Sequence, residues 1–308
     1  MSAEPIVYLN GEYLPASQAS VSLADWGLHG VAVTEMTRTF GQRCFRLDDH
    51  LDRLNASADQ LGIAVDLLRD DWHKITETVV NHHAALVGKT GELMVNHVIT
   101  AGLNSMNAAP DHRGPTIYVR TIPLRFSRWA AKYQKGQHLV VPQMRQIPAE
   151  CLNPKIKSRN RLHWYLADRQ AQEIDADASA LMLDFQGHLT ETSVGNVFIV
   201  RENTILTPRS EVTLGGISRM VVRDIAQFLG AGYEEQNITL AEALVAKEVF
   251  TSSTGYCVLP VTKIDGQSIG EGRPGAVYQR ILETWNLMAG LDIAAQAVEQ
   301  SVVESHYK

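Results

Sequence analysis

Ile156-Lys157-Ser158-Arg159-Asn160-Arg161-Leu162 and Thr190-Glu191-Thr192-Ser193-Val194-Gly195-Asn196-Val197-Phe198 are the two stretches on which the reading of this 308-residue chain turns. The first offers an amine among basic and polar neighbours. The second offers a carboxylate just before an apolar run. Read singly, each fits a plain role: Lys157 a solvated lysine, as Lys155 also does, and Glu191 an exposed acid.

Further along, Leu214-Gly215-Gly216-Ile217-Ser218-Arg219 precedes the amphipathic run Val221, Val222, Ile225, Phe228, Leu229 and ends at Gly230. This reads as a glycine-rich loop opening a helix, with Ser as cap and Gly as stop. Backbone N–H groups at a helix start, with little side-chain bulk from Gly215 and Gly216, suit a phosphate. A tight loop with a capping serine is the plain alternative. Ser252-Ser253-Thr254-Gly255 follows a strand at 247–251, and its hydroxyls either bind phosphate or end the strand.

Before the lysine, residues 6–14 carry the hairpin signal Asn10-Gly11. Residues 31–40 form a β-branched strand, ended by Gly41-Gln42, whose Thr34, Met36, Arg38 and Phe40 share one face. A helix at 48–61 buries the stripe Leu47, Leu51, Leu54, Ala58, Leu61, with Arg53 beside it and Asp48 and Asp49 at its favourable end. A second helix at 70–87 has the stripe Trp72, Ile75, Val79, His83, Leu86, and strands follow near 92–101 and 115–122, joined by a loop over Asn104–Pro115. After the aperiodic segment Pro123–Gly136 come a strand at 138–142, a helix at 161–175, a strand over Ala178–Asp184, a strand pair around 188–201, and a last helix at 274–289. The mixture predicts an α/β (α+β) chain of two domains. Residues 1–123 form a small N-terminal domain, 124–137 a linker, and 138–308 a larger C-terminal domain.

Apolar residues make up 45% and charged residues 20%, and the net charge of −6 argues against a nucleic-acid partner. No apolar run approaches a membrane span, and the start lacks the layout of a signal peptide. Cys44, Cys151 and Cys257 are read as reduced thiols in a cytoplasmic protein. His82 and His83 point about 100° apart on a helix, so with His97 they are read as structural and no metal is expected. No nucleophile elbow is present, and the Gly-Gly loop lacks the third glycine of a dinucleotide fold.

Taken together and in order, these motifs resemble the fold-type IV, or class IV, pyridoxal-phosphate enzymes: branched-chain and D-amino acid aminotransferases, (R)-selective amine transaminases and aminodeoxychorismate lyases. The resemblance spans nearly the whole chain. Asp25-Trp26-Gly27 precedes the first pocket strand, His50-Leu51-Asp52-Arg53-Leu54 matches the helix that sends an arginine to phosphate, and Ile156-Lys157-Ser158 matches the Schiff-base lysine. Thr190-Glu191 through Phe198 matches the ring-nitrogen segment, Gly216-Ile217-Ser218-Arg219 stands where the family has Gly-Ile-Thr-Arg, and Thr254 stands at a later phosphate-binding threonine.

The resemblance implies a small N-terminal α/β domain, a C-terminal pseudo-barrel domain, and usually a homodimer. It implies pyridoxal 5′-phosphate as cofactor, with Lys157 catalytic and Arg53, Lys157, Glu191, Ile217, Ser218 and Thr254 holding the cofactor. The activity implied is ping-pong transfer of an amino group from an amino acid or (R)-amine to a 2-oxo acid. A lyase releasing pyruvate and a non-catalytic binding homologue are the alternatives. The Gly-Gly-Asn-Tyr of the branched-chain type is replaced by Arg159-Asn160-Arg161-Leu162, and the lyase's threonine pairs with Met36. The arginine–histidine trap of the D-amino acid type is replaced by Ile99-Thr100-Ala101-Gly102. Thr34, Met36 and Arg38 are the expected substrate contacts, with Arg38 on the carboxylate; an Arg38–Glu35 or other structural ion pair is the plain alternative.

Overall fold

Asn10-Gly11 turns the first hairpin of the computed structural model, which describes residues 4–88, 90–104 and 114–305. The φ angles there, 46° and 98°, match a two-residue turn whose twist follows that of its strands, β1 (Ile6–Leu9) and β2 (Glu12–Pro15). A second such turn, Gly41-Gln42, joins β3 (Ala32–Phe40) to β4 (Arg43–Cys44), with φ of 55° and 63°. Gln42 tolerates the left-handed region because Glu92 accepts from the N–H groups of Gly41 and Gln42, while the Gln42 amide donates to the carbonyls of Gly88 and Gly91.

The chain divides into two units, Met1–Leu124 with Ile156–Arg161, and Arg125–Lys155 with Leu162–Lys308. The first is an antiparallel six-stranded sheet in the order β2-β1-β6-β5-β3-β4, completed by β5 (Leu93–Thr100) and β6 (Thr116–Pro123). Helices α1 (Leu47–Gln60) and α2 (Arg69–Val87) cover one face. Leu51, Leu54, Trp72 and Val79 pack there on Val33, Val95 and Val119. By alternation the odd positions of β3 face the helices, and Thr34, Met36, Arg38 and Phe40 share the other face. Both helical stripes bury as expected except Leu47 and Leu61, which are half-buried, and Leu86, which is exposed near the end of α2. The loop expected over Asn104–Pro115 falls mostly on 105–113, outside the described residues.

The histidines are structural partners. His82 meets the Glu4 carbonyl, His83 the Thr121 hydroxyl, and His97, wholly buried, pairs through Nε2 with Thr76 at 2.8 Å. Burial pushes the His97 pKa down to about 3. Below the ordinary value of about 6.5, the unfolded chain takes up a proton that folded His97 refuses, so acid favours unfolding. Wild-type stability should therefore fall by about 1.4 kcal/mol per pH unit from this group alone, or roughly 2–3 kcal/mol between pH 6.5 and 4.5. Denaturant melts across that window should show a shallower slope for His97→Gln. An unchanged slope would remove His97 as the source.

The second unit opens with a 3-10 turn at Phe126–Arg128, whose Phe126 and Ser127 N–H groups donate to Glu304, and α3 (Lys132–Lys135). Strand β7 (Gln137–Val140) runs parallel to β8 (Ser179–Leu183), and α4 (Leu162–Ile174) packs Trp164, Ala167 and Ala171 on Val140, Ala180 and Met182. Then come β9 (Leu189–Thr192), β10 (Asn196–Arg201), β11 (Thr204–Thr207), α5 (Ile217–Phe228), β12 (Gly232–Glu235) and α6 (Leu240–Leu244). The chain closes with β13 (Glu248–Ser253), β14 (Cys257–Ile264), β15 (Gln267–Ser268), α7 (Ala276–Ala289) and α8 (Ile293–Ser305). Helix α8 lies beyond the last helix that the sequence pattern predicts; its apolar positions, short of a buried stripe, give no clear period.

The nine-stranded sheet runs β12-β11-β10-β13-β14-β7-β8-β9, with β15 beside β14. Strand β9 pairs back to β10 through Glu191 and Asn196, so β10, β13, β14, β7, β8 and β9 close into a barrel. Helix α5 starts at Gly216, not at a serine cap: Ser218 lies inside the first turn, and no side chain caps the N-terminus. The stop is as expected, with Gly230 at φ 65° after Leu229. Among the described residues no helix is long and apolar enough to cross a membrane, and no group of three or more His, Cys, Asp or Glu residues has a metal-holding arrangement.

Candidate active site

Lys157 sits on a short strand-like thread laid along β3. Its carbonyl accepts from the Thr34 N–H at 3.0 Å, Ser158 bridges to Val33, and the Arg159 N–H donates to the Ala32 carbonyl at 2.8 Å. The Lys157 N–H donates to the Ser57 hydroxyl at 3.2 Å, and that hydroxyl donates to the Arg53 carbonyl at 2.8 Å. The main chain around the amine is therefore fixed from both sides, by a strand edge and by α1. Ser57, buried among the apolar positions of α1, carries no sequence signal for this role.

Arg53 reaches inward as its place beside the helical stripe suggests. Its Nε and Nη2 donate to the two oxygens of Glu35 at 2.6 and 2.8 Å. The His50 Nδ1 lies 2.7 Å from the same carboxylate, which is wholly buried. Burial works to raise the Glu35 pKa, but the Arg53 charge and the hydrogen bonds from Arg53 and His50 hold it far below the usual carboxylate range. A carboxylate kept ionised has no proton to give, so Nδ1 of His50 is the donor. Burial lowers the His50 pKa against the pull of Glu35. The cluster thus fixes the guanidinium fork.

These bonds commit the Glu35 carboxylate to α1, away from Arg38. Glu35 lies on the helix side of β3, and its carboxylate is bound by Arg53 and His50. Arg38, three residues on, lies on the opposite face. There its guanidinium stacks over Phe40 at 4.0 Å, and its Nε donates to the Thr39 carbonyl. Arg38 is 2% exposed. The Thr34 hydroxyl, on the same face, donates to the His97 carbonyl and accepts from the Asn96 amide. Met36 is the half-buried member of the three.

In the second unit Glu191 occupies the residue pair that shuts the barrel. Oε1 accepts from the Gln146 amide at 3.4 Å; Oε2 accepts from the Leu214 N–H at 3.2 Å and from the Asn196 amide at 3.5 Å. All three partners donate, so the carboxylate is held as an acceptor. The Asn196 amide also donates to the Leu214 carbonyl, and its Oδ1 would lie 2.0 Å from any Cβ at Gly216, so a side chain there would have to displace the Asn196 amide. Arg219 fastens the loop that precedes α5, donating to the Thr213 hydroxyl and the Pro208 carbonyl and pairing with Glu235. Ile217 and Ser218 are the first residues of that helix, and Thr254 begins the turn between β13 and β14. Gln146, in an irregular loop far from the motifs, is not identifiable from the sequence alone.

Comparison with known proteins adds four findings. A family model, Amino-transferase class IV, matches residues 32–264. The chain is 31% identical over 283 residues to the D-alanine aminotransferase of Bacillus licheniformis, covering 89% of this chain and 94% of that one. Its fold superposes on a branched-chain amino acid aminotransferase from T.th., solved with N-(5′-phosphopyridoxyl)-L-glutamate, with a TM-score of 0.83, 27% identity, and coverage of 93% and 95%. The branched-chain aminotransferase of Thermoproteus uzoniensis, solved with norvaline, gives 0.82 at 26% identity, with coverage of 93% and 95%.

Proposed function

Because this chain belongs to the class IV aminotransferase family, we propose that it is a pyridoxal-phosphate-dependent transaminase. It moves an amino group from an amino acid, branched-chain-like or D-, or from an (R)-amine, to a 2-oxo acid in two half-reactions. The observation that carries this reading is Glu191, set under three N–H donors at the barrel closure. An acid oriented there by three donors suits a protonated ring nitrogen.

The donor set fits the cofactor. Lys157 supplies the amine, Glu191 the acid, and the α5 start a helix N-terminus without a side-chain cap. When bound, pyridoxal phosphate supplies an electron sink for the charge that develops at the substrate Cα. The Lys157 amine would hold the cofactor and would carry the substrate Cα proton. Glu191 would hold the ring nitrogen in its protonated form. Ile217 and Ser218 offer N–H groups to the phosphate, Ser218 and Thr254 offer hydroxyls, and Arg53 offers positive charge. The face of Thr34, Met36 and Arg38 borders the substrate, with Arg38 assigned to its carboxylate. Cys44, Cys151 and Cys257 form no disulfide, which supports a reducing cytoplasmic setting, and the family pattern supports a homodimer.

The test is a half-reaction. Holoenzyme given one amino donor and no acceptor should release about one 2-oxo acid per site and lose its visible absorption. Adding pyruvate or 2-oxoglutarate should restore that absorption. Repeated release of pyruvate without any acceptor would overturn the transaminase reading in favour of a lyase. No spectral change across a panel of L-amino acids, D-amino acids and (R)-amines would overturn it in favour of a binding protein.

A further inference from the structure

We propose that Arg159 is a specificity-determining residue that binds a second carboxylate, at the far end of an acidic amino acid or 2-oxo acid, an inference that rests on the transaminase reading above. Arg159 opens the stretch in which this chain departs from the branched-chain pattern. Its side chain is exposed and makes no ion pair among the described residues.

Register shows which way Arg159 faces. Ser158 bridges antiparallel to Val33, with the Thr34 N–H on the Lys157 carbonyl and the Arg159 N–H on the Ala32 carbonyl. Facing residues of an antiparallel pair share a side of the sheet. Val33 packs on the helices, so Ser158 takes that side, and Ile156 packs there as well. Lys157 and Arg159 therefore take the other side, with Ala32, Thr34, Met36 and Arg38. Lys157 stands across from Thr34, and Arg159 across from Ala32. At the main chain the amine and the Arg159 guanidinium start about 7 Å apart, and Arg38 starts about 13 Å along β3 in the opposite direction. A substrate whose amino carbon meets Lys157 thus has one arginine on either side.

The arginines differ in what already holds them. Arg53 is paired with Glu35, and Arg38 is 2% exposed with its guanidinium stacked over Phe40. Arg159 faces water, and the side chains beside it on that face, Ala32, Thr34 and Met36, bring no charge to balance it. An arginine offers paired N–H donors that match both oxygens of a carboxylate. With Arg38 on the carboxylate next to the amine, Arg159 meets a carboxylate at the other end. An acidic amino acid and its 2-oxo acid both present that group, and a neutral side chain does not.

Glutamate and glutamine, in the hand that the holoenzyme accepts, differ at the far end by one charge and decide the matter. Wild-type holoenzyme should favour glutamate. Arg159→Ala keeps the main-chain bond to Ala32 and should fold as wild type. It should lower kcat/KM about tenfold for glutamate, the cost of one hydrogen bond to a charged group, and by less than about twofold for glutamine. Binding gives a second readout without turnover. By titration calorimetry, glutarate should bind wild-type holoenzyme more tightly than pentanoate, and Arg159→Ala should erase that difference. Equal losses on glutamate and glutamine would refute this inference, as would glutarate binding no tighter than pentanoate. Wild-type activity confined to neutral amino acids or (R)-amines would refute it too, and would leave the transaminase reading standing. Wild-type holoenzyme that gives no half-reaction with any donor would refute the parent reading instead.

Discussion

Lys157→Ala should lower turnover by about 10^4-fold, the upper end of what a positioned general base contributes, while leaving the fold intact. The fold survives because the anchors of this residue described above are main chain: the N–H to Ser57 and the carbonyl from Thr34 remain in alanine. The amine alone is lost, and with it the proposed covalent hold on the cofactor and the proposed carrier of the Cα proton. Steady-state rates with one donor–acceptor pair, set beside the denaturant midpoint, check this. The cofactor should still bind through its phosphate but without the visible absorption of the lysine-bound form. A variant that turns over within tenfold of wild type would end the assignment of Lys157.

Glu35→Gln should destabilise the protein by about 3–5 kcal/mol, the cost of breaking a buried ion pair from one side. The amide keeps the shape of the carboxylate but turns one end into a donor facing the donors of Arg53. His50, which also gives its Nδ1 hydrogen to Glu35, loses half of an acceptor set. Chemical denaturation measures the loss. The double variant Glu35→Gln with Arg53→Met should cost less than the two singles together, because the stranded guanidinium is gone. Additive losses would mean the pair is not coupled. The same linkage sets the acid limit. A carboxyl whose pKa is depressed by folding contributes stability above its ordinary value near 4.5, and that contribution drains away as pH falls below it.

Much of the architecture could be read in advance because its signals are local. Asn10-Gly11 and Gly41-Gln42 announce their turns, the stripe Leu51-Leu54-Ala58 announces α1, and alternation along β3 puts Thr34, Met36, Arg38 and Phe40 on one side. The same alternation puts Glu35 opposite Arg38, which argues against pairing them, and the fold gives Glu35 to α1. What stayed hidden depends on long-range register. Asn196 meets Glu191 on one side and Ser252 on the other only once three strands are aligned. Ser57 touches the segment that carries Lys157, a hundred residues later, through a single hydroxyl. The capping role assigned to Ser218 failed for a different reason. Gly216 takes the cap position without offering a side chain, and a serine two residues on resembles a cap until backbone angles are known.

Five of the barrel's six seams are ladders of two or more paired residues; the sixth is the single match of Glu191 with Asn196. The acid assigned to the chemistry thus sits at the narrowest seam of the cylinder, where its side chain is also tied to Asn196 and to the Leu214 N–H of the loop before α5. A change at Glu191 reaches that loop as well as the acid, so a lost rate there reports on the cofactor's ring only when the order of the loop is measured beside it.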